Sequence, residues 1–205
     1  MTGMGEQTVF VVDDDAGVRD SIAELVESVG LRAEGYASGQ EFLERRWLQR
    51  RGCLVLDVRM PDMSGLVLQR LLKEQGFNLP IIILTGHGDV PIAVEAMKAG
   101  AFEFLQKPCR DQALLDSIIA ALSHDIATHN ANLANVDLAR RVSTLTSREV
   151  EVLNLVLGGK TSKHIAQALD MSPRTAETHR HNILQKLGIA TLKQLLLRMP
   201  SSSRD

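Results

Sequence analysis

Five short apolar runs, each followed by a stretch with helical spacing, constrain what this chain can fold into. The runs fall at 8–12, 31–36, 53–57, 81–84 and 102–105. The first, third and fourth, rich in Val, Ile and Leu, fit strands buried on both faces of a parallel sheet, while 31–36, with Arg32 and Glu34 inside it, reads as a second, weaker strand. Between them, sets such as Val18, Ile22, Leu25 and Val29, or Leu114, Ile118 and Leu122, recur at helical intervals. Strand then helix, five times over, predicts an α/β doubly wound five-stranded parallel sheet with helices on both faces. Right-handed crossovers bring every strand's carboxyl end to one edge, where open sheets of this kind bind ligands.

That edge collects polar residues. The first run ends in Asp13, Asp14 and Asp15, the third in Asp57, the fourth in Thr85, and Lys107 follows the fifth. Each could simply cap a turn, and acids also favour the first turn of a following helix. Four tips of complementary chemistry on one edge are a poor match to coincidence. Clustered carboxylates without His or Cys suit a hard cation such as Mg²⁺, or Mn²⁺ in its place, which takes oxygen ligands and often brings phosphate. Asp13, Asp14 and Asp57 could offer those oxygens. Lys107 could meet a phosphoryl oxygen as a point charge, and the Thr85 hydroxyl could donate to another. A carboxylate can be the nucleophile in phosphoryl transfer, and Asp57 is the candidate.

Composition separates the chain into two parts. Of its 205 residues, 44% are hydrophobic, enough for real cores. The formal charge of −2 conceals −6 over residues 1–123 and +4 over 144–205. An acidic front and a basic back imply different partners, and the back could face nucleic acid, although +4 is a modest excess. No run of about 18 apolar residues occurs, so no transmembrane helix is expected. The first residues lack the pattern of a secretion signal. Two cysteines, Cys53 and Cys109, make no disulfide framework, and a cytoplasmic setting is expected. Trp47, within a basic stretch, is expected to pack.

From Thr144 no further strand-like run occurs. Thr146, Thr161 and Ser172 open three helical stretches, the last with Pro173 at its first position and Gly188 at its end. Val150, Leu153, Leu155, Val156 and Leu157 read as the apolar set of the first stretch. Ile165, Ala166 and Leu169 read as that of the second, and Ala176, Ile183, Leu184 and Leu187 as that of the third. Leu192, Leu195 and Leu196 mark a short fourth helix. Two helices across a tight turn, the second polar and basic outside, make a helix-turn-helix layout, which any small bundle can imitate.

Motifs sharpen both halves. Val11-Val12-Asp13-Asp14-Asp15, Leu56-Asp57-Val58-Arg59-Met60-Pro61-Asp62-Met63-Ser64-Gly65, Thr85-Gly86-His87-Gly88-Asp89-Val90, Ala96-Met97-Lys98-Ala99-Gly100-Ala101 and Gln106-Lys107-Pro108 occur in order. With them, residues 1–123 resemble the flavodoxin-like receiver domain of two-component response regulators. Leu145-Thr146, Arg148-Glu149, Ile165-Ala166, Ser172 to Arg180 and Ile183 to Gly188 resemble a LuxR-type DNA-binding domain, here over 144–205. The whole is similar to the FixJ-like group. The resemblance implies that a sensor histidine kinase phosphorylates Asp57. It implies a metal on Asp13, Asp14, Asp57 and the Arg59 carbonyl, Thr85 and Phe104 as switch residues, and Lys107 as phosphate sensor. Lys163, Arg174, Glu177, Thr178, Arg180, His181 and Lys186 become the expected DNA contacts, Glu177, Thr178 and His181 at base edges and the basic residues mostly at phosphates. His179 is expected to pack. The implied role is a phosphorylation-dependent transcription activator, dimeric when phosphorylated, acting on double-stranded promoter DNA with RNA polymerase. Cys109, where an aromatic is usual, and Ala176, where Val is usual, depart from the pattern.

Two other readings compete. A Mg²⁺-dependent aspartyl-phosphate phosphatase also uses strand-tip carboxylates, but needs a second Asp two residues after the nucleophile, where Arg59 stands. A phosphate-sink adaptor would need no DNA-binding segment. The linker, 124–143, has no Gly or Pro and is expected to be largely helical. A seam of Leu115, Ile119, Leu122, Ile126, His129, Leu133, Val136 and Arg140 suggests one long helix from about 111 to at least 133.

Overall fold

A computed structural model describes residues 7–44, 50–86 and 90–191. Trp47, the 87–89 segment of the Thr85 motif and the fourth C-terminal helix lie outside the described residues. Strands β1 (Gln7–Val12), β2 (Arg32–Tyr36), β3 (Arg51–Leu56), β4 (Ile81–Thr85) and β5 (Glu103–Gln106) alternate with helices α1 (Ala16–Ser28), α2 (Gly39–Glu44), α3 (Gly65–Glu74), α4 (Val90–Lys98) and α5 (Asp111–Val142). All strands pair in parallel, in the order β2-β1-β3-β4-β5. This is the doubly wound sheet expected from the alternation. The central strands β1 and β4 are buried throughout and β3 nearly so, which explains their unbroken apolar text. β2 and β5 are edges, partly exposed, and carry the weakest apolar signal.

Each sheet face has its own core. On one, Phe10, Leu54, Leu56 and Ile83 meet Phe42 of α2, Leu68 and Leu72 of α3 and Ala96 of α4. Phe42 sits edge-on to Phe10, Tyr36 and Phe77, with ring centroids 5.2–5.9 Å apart. On the other face, Val9, Val11, Val55 and Ile82 meet Ile22 and Val26 of α1 and Leu114, Ile118 and Leu122 of α5. Val94 and Met97, apolar residues at helical spacing on α4, do not face the core. Val94 and Met97 are 44% and 46% exposed, and Ala96, with the partly buried Ile92, packs against the core on the first face.

The chain divides into two compact units, Met1–His129 and Asn130–Asp205, and the division falls within α5. In the second unit the end of α5 joins α6 (Ser147–Leu157), α7 (Ser162–Ala168) and α8 (Pro173–Leu187). Thr146, Thr161 and Ser172 accept backbone N–H bonds as N-caps. Thr146 and Glu149 form a reciprocal capping box. The core gathers Leu138, Val152, Leu153, Ile165, Ala166, Ala176, Ile183 and Leu187. Val152, not the expected Val150, faces inward on α6; Val150 is exposed. The run of valines and leucines around it left the phase of the helix ambiguous.

Candidate functional site

The carboxyl edge of the sheet brings three of the expected residues into bonding distance. β1 ends at Val12, and Asp13 follows with only 3% exposure. β3 ends at Leu56, and Asp57 follows at 7%. The Lys107 ammonium lies between them, 2.5 Å from Asp13 Oδ2 and 3.2 Å from Asp57 Oδ1. Burial alone opposes that charge, but the hydrogen bond to Asp13 and the charges of Asp13 and Asp57 together hold the lysine above its ordinary value. The Lys107-Pro108 bond is cis.

Local backbone fixes each carboxylate. The Asp15 N–H donates to Asp13 Oδ1 at 3.0 Å, and the Arg59 N–H donates to Asp57 Oδ2 at 2.6 Å. A charge-assisted bond of that length is a strong one. Asp15 itself caps α1, accepting from Gly17 N at 2.8 Å, so the helix-start reading of the acidic triplet holds for this member. Gly65 is required where the loop returns: a Cβ there would stand 2.1 Å from the Asp57 carbonyl oxygen. Thr85, fully buried, ends the strand next to β3. Phe104, on β5 opposite Ile83, is half-buried against the core.

The donor chemistry suits a hard cation, being carboxylate and carbonyl oxygen throughout. Among the described residues no three His, Cys, Asp or Glu side chains converge to hold a metal, and Asp14 is exposed. Lys107 supplies the compensating charge between Asp13 and Asp57 in this structure. Few protein ligands accord with an ion that keeps several waters. Cys53 is no alternative nucleophile: burial, with Asp125 nearby, pushes its thiol up to about 12.

In the second unit α8 presents Arg174, Glu177, Thr178 and His181 on its exposed side, and Lys163 is exposed on α7. Arg180 and Lys186 are partly committed elsewhere. Arg180 donates to Ser162 Oγ at 3.2 Å. Lys186 Nζ lies 2.6 Å from Glu149 Oε2, an acid only 5% exposed. The pair ties the end of α8 to the capping box of α6. The Lys186 hydrogen bond, then the Thr146 backbone, hold the Glu149 carboxyl below its ordinary value. The Lys186–Glu149 pair, 37 residues apart in sequence, leaves no local trace in the sequence. His179 is half-buried on α8, in keeping with a packing role.

A buried acidic pair closed by a lysine at a strand edge, and a separate exposed, capped polar helix, define a phosphoacceptor module joined to a DNA-reading module. Residues 9–119 match the model of the response regulator receiver domain, and 143–199 that of the bacterial regulatory proteins of the luxR family. The transcriptional regulatory protein TdiR of Thauera aromatica is 45% identical over 92% of this chain and 83% of its own length. FixJ of Rhizobium meliloti is 43% identical over 94% and 95%. The low-resolution structure of the response regulator StyR superposes with TM-score 0.78 at 44% identity, covering 95% of this chain and 98% of that one. Full-length FixJ from B. japonicum gives 0.59 at 39%, covering 95% and 97%. The chain belongs to the two-component response regulators that join a receiver domain to a LuxR-type DNA-binding domain. It is a transcriptional regulator.

Proposed function

We propose that Asp57 is the residue phosphorylated by the sensor histidine kinase, and that this modification raises the affinity of α8 for promoter DNA. The observation that carries it is the Lys107 ammonium bonded to both Asp13 and Asp57. An Asp57 oxygen bonds to phosphorus as the donor's nitrogen–phosphorus bond breaks, and the imidazole leaves with a proton from water. Asp13, Asp14, Asp57 and the Arg59 carbonyl would hold Mg²⁺ or Mn²⁺. When bound, that ion offsets the charge on the phosphoryl oxygens. Lys107 can follow the arriving negative charge from Asp13. The Thr85 hydroxyl is drawn to the new oxygens, and Phe104 turns into the space it leaves. Such a device needs two packings separated by a few kcal/mol.

The exposed Val94 and Met97 of α4 support a symmetric dimer through α4 and β5 in the phosphorylated form. Lys163 and Arg174 suit phosphates, Glu177, Thr178 and His181 suit base edges, and Arg180 and Lys186 chiefly set the helix that presents them. The role is that of an activator working with RNA polymerase in the cytoplasm, without catalytic turnover of a separate substrate. Mass spectrometry after acetyl phosphate and Mg²⁺ tests the acceptor. One phosphoryl group on Asp57 is expected, and a modified residue elsewhere contradicts it.

A further inference from the structure

The amino edge of the sheet, opposite the acidic pair, holds one more buried carboxylate within a cluster of hydrogen-bond donors. Asp125 stands on α5 just past the core residues Ile118, Ala121 and Leu122, and is 6% exposed. Its Oδ2 accepts from Gln7 Nε2 at 2.9 Å, Arg51 Nε at 2.9 Å and Gly52 N at 3.1 Å. Arg51 Nη2 reaches the Asp125 carbonyl at 3.1 Å, and Gln7 Nε2 also donates to the Leu122 carbonyl at 3.0 Å. The donors come from the first residues of β1 and β3.

The geometry is held at a cost. Gly52 adopts φ +139°, and a Cβ there would meet the Thr8 carbonyl oxygen at 1.8 Å, so only glycine can turn its N–H to the acid. Gln7 Oε1 is buried without a partner among the described residues. α5 then continues unbroken to Val142, past its last contact with this core.

We infer that Asp125 is a positioning residue for signal transmission: it fixes the rotation and direction in which α5 leaves the receiver, so that changes inside the receiver reach the residues beyond. This rests on the reading that phosphorylation of Asp57 controls DNA affinity. Apolar contacts through Ile118 and Leu122 hold α5 to the sheet but allow it to slide and rock. Three converging donors on one buried oxygen do not, because any rotation breaks them together and leaves a buried charge unpaired. The cluster therefore converts a packed helix into a keyed one.

The test uses the full chain carrying Asp125→Asn, with Arg51→Lys as the conservative partner variant and Arg51→Met as its disruptive counterpart. Labelling by acetyl phosphate is measured first, then the ratio of DNA affinities with and without phosphorylation, then amide exchange over residues 122–142. The expected results are labelling rates within about twofold of wild type, a ratio reduced at least fivefold in D125N and R51M, faster exchange beyond 125, and a ratio largely kept in R51K. An unchanged ratio in D125N and R51M overturns the inference. Loss of labelling together with the ratio also overturns it, since the cluster would then only hold the receiver folded. A ratio of one already in the wild type sinks the underlying reading, and the inference with it.

Discussion

Both oxygens of Asp57 hold donors, Lys107 on one and the Arg59 N–H on the other. Asp57→Asn keeps the shape but removes the nucleophile and half the charge that Lys107 answers. It should abolish labelling by acetyl phosphate, read by Phos-tag electrophoresis; label persisting at another residue contradicts the assignment. On α8, exposed Arg174 and exposed His181 should separate positioning from reading. Arg174→Ala should weaken binding to all sequences and reduce the slope of log affinity against log salt by about 0.9. His181→Ala should shift sequence preference and leave that slope alone, as measured by binding selection from a random pool. Asp57 was legible because a carboxylate closing an apolar run is conspicuous. Asp125 was not: a lone acid on a polar helical stretch looks solvated until Gln7 and Arg51, distant in sequence, are seen against it. The Lys186–Glu149 pair was hidden for the same reason, its partners standing on different helices.

Among the elements, α5 carries the most unusual demand, running 32 residues through both compact units. Leu115 and Leu122 of its seam are buried, whereas Ile119, Leu133 and Val136 are exposed at 40%, 54% and 68%. Between residues 126 and 136 no Asp, Glu, Lys or Arg is present to form stabilising pairs along the helix. Two glycines inserted after Thr128 cost about 1 kcal/mol each in helix propensity and shift the following residues in rotation. Phosphorylation should then no longer alter DNA affinity, while labelling and basal binding persist; retained control would show that helix continuity is dispensable. α6 offers a pH test. Because pairing lowers the Glu149 pKa, its contribution to stability is present above the ordinary value of 4.5 and is lost as pH falls through the lower folded value. Glu149→Gln keeps a side chain suited to the capping box but loses the charge facing Lys186; it should cost about 1 kcal/mol and flatten that acid-side loss, followed by the amide signals of α8 in the full chain. A variant that retains the wild-type acid sensitivity would place its origin elsewhere. The central strands were readable because burial on both faces imposes an apolar run; β2 and β5, at the edges, were readable chiefly from their place in the alternation. The phase of α6 was not, since neighbouring apolar residues such as Val150 and Val152 leave the buried side ambiguous until packing chooses it.

In the whole molecule, the proposed function requires that charge arriving at Asp57 be converted into DNA affinity at α8. The net charge of the sequence is −6 over residues 1–123 and +4 over 144–205, so the unmodified front gives no electrostatic help to DNA binding. The gain must come through conformational change or pairing of two copies, which would let two α8 helices read related half-sites. The most direct measurement is fluorescence anisotropy of a labelled promoter fragment, titrated with wild type and Asp57→Asn at several salt concentrations, each with and without acetyl phosphate and Mg²⁺. The predicted result is salt-dependent binding by both proteins and a rise in affinity on phosphodonor addition for the wild type alone. An equal rise in Asp57→Asn, or no salt-dependent binding by either protein, would contradict it.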